Sequence, residues 1–450
     1  MRIIQILGIV HFKIRCMVKN ARFVMGIMFF CFCEFVRHYF SKDKQLFFRN
    51  LCEKLSQKNI LFVKMFQAIA LNNGMISEET NTELLKYADG APWSYDDIDW
   101  DTIYSLQEND NICFTHGHHP INSGMISLVF KAQHKVTKQN VIVKMKKKYI
   151  EAQLDEAINE VIFLLILLSI VPMFKSFELG QVVSKNLLSI KQQTNFYDEI
   201  ANTNLMKHNC KQLKYVKIPE IYEEYTKIYP NIIVMEFIEG VKINQVNKSD
   251  YNEFAKTIMK YTFFTLLIHG AVHGDLHAGN VLFIKNKDDP QNQHQIGVID
   301  FGVLCKFDDD FKQSLFYMFS DMLIVPAREI ALKIINSNVF EPKEALLCLP
   351  EHKLDGLIDI LEEIITDTLQ KQHGATQFKI YDAIFNINAF LKKNKLLNKQ
   401  LKLSDNFVKM QMSMAMAHGV TLKLCDESDC VDISNKVFND MFHVQLLLSN

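Results

Sequence analysis

Two short polar stretches constrain this chain more than anything else in it. The first is His273-Gly274-Asp275-Leu276-His277-Ala278-Gly279-Asn280, which runs straight into the apolar Val281-Leu282-Phe283. The second is Ile299-Asp300-Phe301-Gly302, where a strand-like run ends on a carboxylate. Phosphoryl transfer asks a protein for positioning and charge neutralisation more than for covalent help. Asp275 suits a base beside an incoming hydroxyl. Asn280, five residues on, offers an oxygen to magnesium, and Asp300 suits the ion that bridges the phosphates. Asp275 and Asp300 lie 25 residues apart, and the polar insertion Lys285 to Gln295 accounts for the length of that interval. An Asp-x4-Asn loop followed in order by Asp-Phe-Gly is the arrangement found in kinases. His273 and His277 form only a lone His-x3-His pair. They are expected to orient the loop through hydrogen bonds to backbone rather than to ligate metal.

Upstream, Val141-Ile142-Val143-Lys144 ends a strand, and a lysine there reaches phosphates when a helix carboxylate pairs with it. Glu160 and Glu199 both stand as candidates for that carboxylate. Before the strand comes Asn122-Ser123-Gly124-Met125-Ile126-Ser127-Leu128-Val129, which keeps one glycine and the valine of a glycine-rich phosphate loop. Ser123 and Gly124 are the expected nucleotide contacts, since such residues tolerate the turn that aims backbone N–H groups at phosphate. Ile232 to Gly240 reads as a strand entering a hinge, with Met235, Glu236 and Ile238 beside the adenine of ATP.

Runs of β-branched and aliphatic residues mark strands at Met125 to Ala132, Asn140 to Met145, Val216 to Glu223, Ile232 to Glu239, Val281 to Ile284 and Ile296 to Ile299. Helical spacing dominates elsewhere, as at Leu51, Leu55, Leu61, Phe62, Met65, Phe66 and Ile69. The expectation is an α+β, protein-kinase-like two-lobed fold. Residues 1–110 form a helical extension, 111–240 a small β-rich lobe with inserted helices, and 241–450 a larger helical lobe.

A formal net charge of −1 gives no reason to expect a nucleic-acid partner. The run Lys144, Lys146, Lys147, Lys148 reads as a solvated strand end. Ten cysteines, none in a C-x2-C pair (Cys31 and Cys33 flank a single residue, Cys425 and Cys430 are five apart), suggest free, buried thiols and a reducing, intracellular compartment. The apolar run Phe23 to Cys33 rises only about 16 Å as a helix, too short for a span of about 30 Å. It and Val161 to Val171 are expected as buried helices, with peripheral membrane contact by the first as the lesser reading.

With these residues in place, the chain resembles the UbiB-type atypical kinases, the family linked to coenzyme Q biosynthesis, over residues 45–430. Val-Ile-Val-Lys144, Glu199-x-x-Asn202, Met235 to Gly240, Gly274 to Asn280 and Asp300-Phe301-Gly302 fall in the family's order. The resemblance implies Glu199 as the partner of Lys144. Lys64-Met65-Phe66-Gln67 looks like the family's Lys-x-Gly-Gln signature, which implies that Lys64 and Gln67 face the nucleotide from a helix restricting access to the site. Three departures mark a divergent member. Phe66 replaces the signature glycine. Asn122-Ser123-Gly124-Met125 replaces an alanine-rich loop. Gln193-Thr194-Asn195 replaces a Glu-x-Asp pair. The implied cofactors are ATP and Mg2+. The phosphate acceptor stays open among a small molecule, a lipid-pathway protein and the chain itself, as does the oligomeric state. Two other readings stand beside this one: a small-molecule phosphotransferase of the aminoglycoside or choline type, and a nucleotide-regulated, non-catalytic binding module.

Overall fold

The computed structural model describes residues 2–62, 91, 93–170, 190–191, 193–321, 325–366, 390–391, 393, 401–426 and a few positions between 432 and 440. The chain divides into two compact units, Met1–Asp198 with Tyr222–Glu236, and Glu199–Ile221 with Phe237–Asn450.

The first unit opens with helices α1, Arg2–Ser41, and α2, Lys44–Lys58, the latter capped by Asp43, whose side chain accepts from the Leu46 N–H. α3, Trp100–Glu108, leads into an antiparallel sheet of β1 (Ile112–Phe114), β2 (Asn122–Ser123), β3 (Ser127–His134), β4 (Asn140–Lys146) and β5 (Ile232–Glu236). β3 pairs with β1, β2 and β4, and β4 pairs with β5. Alternation decides which side chains enter the core. Leu128, Phe130 and Ala132 of β3 and Val141, Val143 and Met145 of β4 are buried together with Ile103 and Leu106 of α3. After β4, α4 spans Ile150–Ile170, and its Leu154, Ala157 and Val161 bury against Leu61, Ile126 and Ile190.

α5, Phe196–Asn209, starts in the first unit and belongs to the second from Glu199 on. The second unit is mostly helical. α6, Tyr251–Phe264, runs through a π-turn at Thr265–His269 to left-handed Gly270. Four short strands follow: β6 (Ala271–His273), β7 (Val281–Lys285), β8 (His294–Val298) and β9 (Leu304–Lys306). β6 pairs with β9, and β8 pairs with β7 and with the two-residue strand Val216–Lys217. Helices α7 (Asp309–Asp321), α8 (Ala327–Asn336), α9 (Glu351–Ile365) and α10 (Asp405–Thr421) complete it. In α8 the buried residues Ala327, Ile330, Ala331, Ile334 and Ile335 recur at the spacing of one helix face and meet Leu357 and Leu361 of α9.

Several expectations change. The strand expected over Val216 to Glu223 stops at Lys217, and Glu223–Ile228 is a short helix. The strand at Ile232 ends at Glu236. Lys147 is buried rather than solvated, and burial, more than Asp97 offsets it, pulls its ammonium below the ordinary value. Among the described cysteines Cys52 and Cys210 are buried, whereas Cys33, Cys113 and Cys348 are exposed. Phe23 to Cys33 is not an isolated buried segment. It lies inside the 40-residue α1, and the stretch Met17–Ser41 is long and apolar enough to cross a membrane by length and composition, with only 17% of its apolar window buried.

The polar insertion is closed at its base by ions. Asp250, just before α6, takes Lys285 Nζ at 2.7 and 2.9 Å and His294 Nε2 at 3.0 Å, joining the end of β7 to the start of β8. The Lys285 hydrogen bonds, then that of His294, hold the Asp250 carboxyl below the usual aspartate value. A depressed folded pKa stabilises the protein above the unfolded value of about 3.9 and is lost as pH falls through the folded one. The melting temperature should therefore drop as pH is taken below about 4. In Asp250→Asn that acid-dependent loss should shrink and stability at neutral pH should be lower; identical pH profiles for the two proteins would refute the assignment.

Candidate active site

Within the first unit, Lys144 sits on β4 opposite Val129 of β3 and Ile233 of β5. It is 8% exposed, and an ammonium held that far from water needs compensation. Part of this comes from the Phe196 ring, whose centroid lies 5.9 Å from Nζ. The loop ahead is a tight hairpin. Asn122 and Ser123 pair with Val129 and Leu128, and the Gly124 N–H donates to the Ser127 carbonyl at 2.8 Å. A Cβ placed on Gly124 would meet nothing closer than 3.6 Å, so the turn is open rather than crowded. Met235, buried, and Glu236, half-buried, end β5 opposite Ile142 and Val141.

Glu160, one of the two candidate partners for Lys144, is engaged elsewhere. Its carboxylate accepts from Asn59 Nδ2 at 3.0 Å. Burial outweighs that bond and raises its pKa.

The second unit gathers Glu199, Asp275, Asn280 and Asp300, along with Ile238. β6 and β9 hold the loop from behind, with His273 opposite Leu304 and the Gly274 N–H donating to the Val303 carbonyl at 3.0 Å. A side chain on Gly274 would come within 2.6 Å of Val303 Cγ1 and 3.0 Å of Cys305 Sγ, so only glycine lets these strands close behind the loop. His273 is 1% exposed, and burial lowers its pKa despite nearby Asp275 and Asp300. Its Nδ1 accepts from the Asp275 N–H at 3.0 Å, which leaves the proton on Nε2 to donate to the Asp300 carbonyl. One neutral imidazole thus ties the two motifs together. His277 does the same locally, accepting from the Gly279 N–H at 3.1 Å. Both histidines orient backbone, as read from the sequence.

Asn280 Nδ2 donates to the Asp275 carbonyl at 3.0 Å, which fixes the amide and turns its oxygen away from that bond. Asp300 Oδ1 accepts the Gly302 N–H at 2.9 Å. Phe301, fully buried, anchors the motif against His273, with ring centroids 5.2 Å apart. Glu199 is 4% exposed. Its Oε2 lies 3.9 Å from where a Cβ on Gly302 would stand, which places it beside the Asp-Phe-Gly turn. One helical turn along, Asn202 Nδ2 donates to the Phe301 carbonyl at 3.1 Å. Lys242 Nζ donates to the Gly279 carbonyl at 2.6 Å. Nothing in the sequence signalled Lys242, because its partner is a backbone atom 37 positions away. Among the described residues no three His, Cys, Asp or Glu side chains cluster as a cation cage. Lys64 and Gln67 lie outside the described residues.

A family model for the ABC1 atypical kinase-like domain matches residues 106–332, half of the chain. The chain belongs to this family. The ABC1 domain so defined takes in Lys144, the histidine-bearing loop and Asp300-Phe301-Gly302, and the resemblance to UbiB-type atypical kinases is borne out. The probable serine/threonine-protein kinase abkB of Dictyostelium discoideum is 23% identical over 288 residues, 60% of this chain and 41% of that protein. AarF domain-containing protein kinase 1 of Mus musculus is 22% identical over 209 residues, 45% of this chain and 38% of that protein. The chain thus spans about two fifths of the length of these curated relatives. A solved Mycobacterium tuberculosis structure, Rv3197 with erythromycin, aligns at TM-score 0.46 and 17% identity, covering 86% of this chain and 96% of that one. The α+β, kinase-like character of the ABC1 domain stands on the family match and its mixed strands and helices.

Proposed function

We propose that this ABC1 member is a phosphotransferase that uses ATP with magnesium and acts on a hydroxyl acceptor. The observation that carries the reading is the second unit's hydrogen-bonded frame. His273, Asn280 and Asn202 fix the backbones of Asp275 and Phe301, and the Gly302 N–H orients the Asp300 carboxylate. In this proposal residues 1–110 are a helical extension, 111–240 the small lobe of a kinase and 241–450 its large lobe. Ser123, Gly124 and Lys144 contact phosphates, Glu199 orients Lys144, and Met235, Glu236 and Ile238 line the adenine. Lys64 and Gln67 face the same nucleotide.

Asp275 takes the proton of the acceptor hydroxyl as its oxygen bonds to the terminal phosphorus of ATP, the bond from that phosphorus to the bridging oxygen breaks, and ADP leaves. Asn280 and Asp300 would hold the metal. Their amide and carboxylate oxygens are hard donors, and magnesium is ordinarily bound by one or two carboxylates plus phosphates, so a protein-only cage is not required. Bound there, magnesium supplies neutralisation of the phosphate charge. The acceptor is a small molecule, a lipid-pathway protein or the chain itself. A non-catalytic reading keeps one supporting observation. Asn195, in place of an acid, is spent on α5, with Nδ2 donating to Asp198 at 2.8 Å and Oδ1 accepting from the Tyr197 N–H at 3.2 Å.

Thermal melting with ATP tests the metal site. A hundredfold excess over Kd stabilises by about 2.7 kcal/mol. The stabilisation should require magnesium, and its magnesium-dependent part should vanish in Asp300→Asn. Equal stabilisation of both proteins, with or without the ion, would remove Asp300 from the metal site.

A further inference from the structure

α1 presents an apolar surface on the side where a water-facing helix would carry charge. At 100° per residue its side chains fall into three arcs. Val24 and Ile27, with Phe23, Phe30 and Cys31 partly covered, face Cys52 and Leu55 of α2, Phe62 just beyond it and Leu164 of α4. The opposite arc, about 120° wide, carries Met25, Met28, Phe29, Phe32, Tyr39 and Phe40, all exposed, Phe29 at 71% and Phe40 at 80%. A narrow strip between these arcs holds Lys19, Gly26 and Arg37, and Arg22 stands on its border, in line with Phe40. A helix apolar on both its packed and its outer face is not finished by water.

Charge selects the occupant. α1 contains six Lys and Arg residues against one acid, in a chain whose net charge is −1. That acid, Glu34, is 2% exposed. It is turned into the protein, where Arg37 at 2.6 Å, Asn50 at 3.3 Å and Lys54 at 3.7 Å compensate it. The outer surface therefore combines large aromatic and thioether side chains with a basic margin, whose exposed Lys19 pairs with Glu156 of α4. Such a surface complements anionic headgroups over an apolar interior. α1 is long enough to cross a bilayer, but its packed face is committed to α2 and α4, so lipid cannot surround it.

We propose that α1 lies in the plane of an anionic lipid bilayer, its Phe29, Phe32 and Phe40 face immersed and its Lys19, Arg22 and Arg37 margin at the headgroups. The contact is peripheral, and it holds the ABC1 domain at a membrane surface without a spanning segment in α1.

Flotation of the full chain with vesicles of phosphatidylcholine and phosphatidylglycerol in equal parts tests this. Binding is expected, weaker on phosphatidylcholine alone, and removed by alkaline carbonate. The triple variant Phe29→Ser/Phe32→Ser/Phe40→Ser should lose at least tenfold in partitioning while keeping the wild-type melting temperature, because these rings are largely exposed. Carbonate-resistant binding would mean a spanning helix and overturn the proposal. So would undiminished binding of the triple variant. Failure to float, with light scattering showing a dimer that the triple variant reduces to a monomer, would assign the face to a second copy of the chain instead.

Discussion

Asp275→Asn should lower ATP turnover by roughly 10²- to 10⁴-fold, the usual contribution of a positioned general base. The substitution is nearly isosteric. The hydrogen bonds that shape the loop run through the Asp275 backbone, its N–H to His273 Nδ1 and its carbonyl to Asn280 Nδ2, and the amide disturbs neither. Melting temperature, and its rise with ATP and magnesium, should consequently stay near wild type while turnover collapses. That split separates this variant from Asp300→Asn, where binding itself is expected to suffer. A variant that hydrolyses ATP at the wild-type rate would show that Asp275 is not the base. Wild-type protein that binds nucleotide but turns nothing over would favour the non-catalytic reading.

The second large effect falls on stability. Phe283→Ala should destabilise the protein by about 3–5 kcal/mol, the range for emptying a large buried ring. Phe283 is 1% exposed, in the core that also contains Phe254, Ile258, Leu276 and Val298. Its ring meets Phe254 edge-on at 5.1 Å, an arrangement that adds to simple burial. Its backbone exchanges two 2.9 Å hydrogen bonds with Val241, so the neighbouring chain limits how far the cavity can collapse. Urea denaturation would measure the loss; a change under about 1 kcal/mol would mean the core is far less rigid than its packing implies.

Local chemistry was legible before any coordinates. A loop that needs a tight turn, a fixed carboxylate and an amide five residues on must spell out those residues contiguously, as Gly274 to Asn280 does. Strands β3 and β4 were equally direct, because runs of β-branched and aliphatic residues fit a pleated, largely buried surface. Val216 to Glu223 misled because β-branched and aromatic residues also suit a loop and a short helix packed under the sheet, where Tyr222 and Tyr225 lie. α1 misled for a related reason. Apolar composition reports that side chains avoid water, and it cannot say whether protein or something else covers them.

The sequence alone determined the kinase-like family, the tight polar loop from Gly274 to Asn280 and the strand that carries Lys144, although that strand runs on to Lys146, since each depends on neighbours a few residues away. Tertiary structure decided the rest. His273 joins the two motifs, Asn202 and Lys242 hold carbonyls far off in sequence, Glu160 is spent on Asn59, and one side of α1 is left bare. These depend on pairings across tens of positions, whose geometry is fixed only when the packed core brings the segments together.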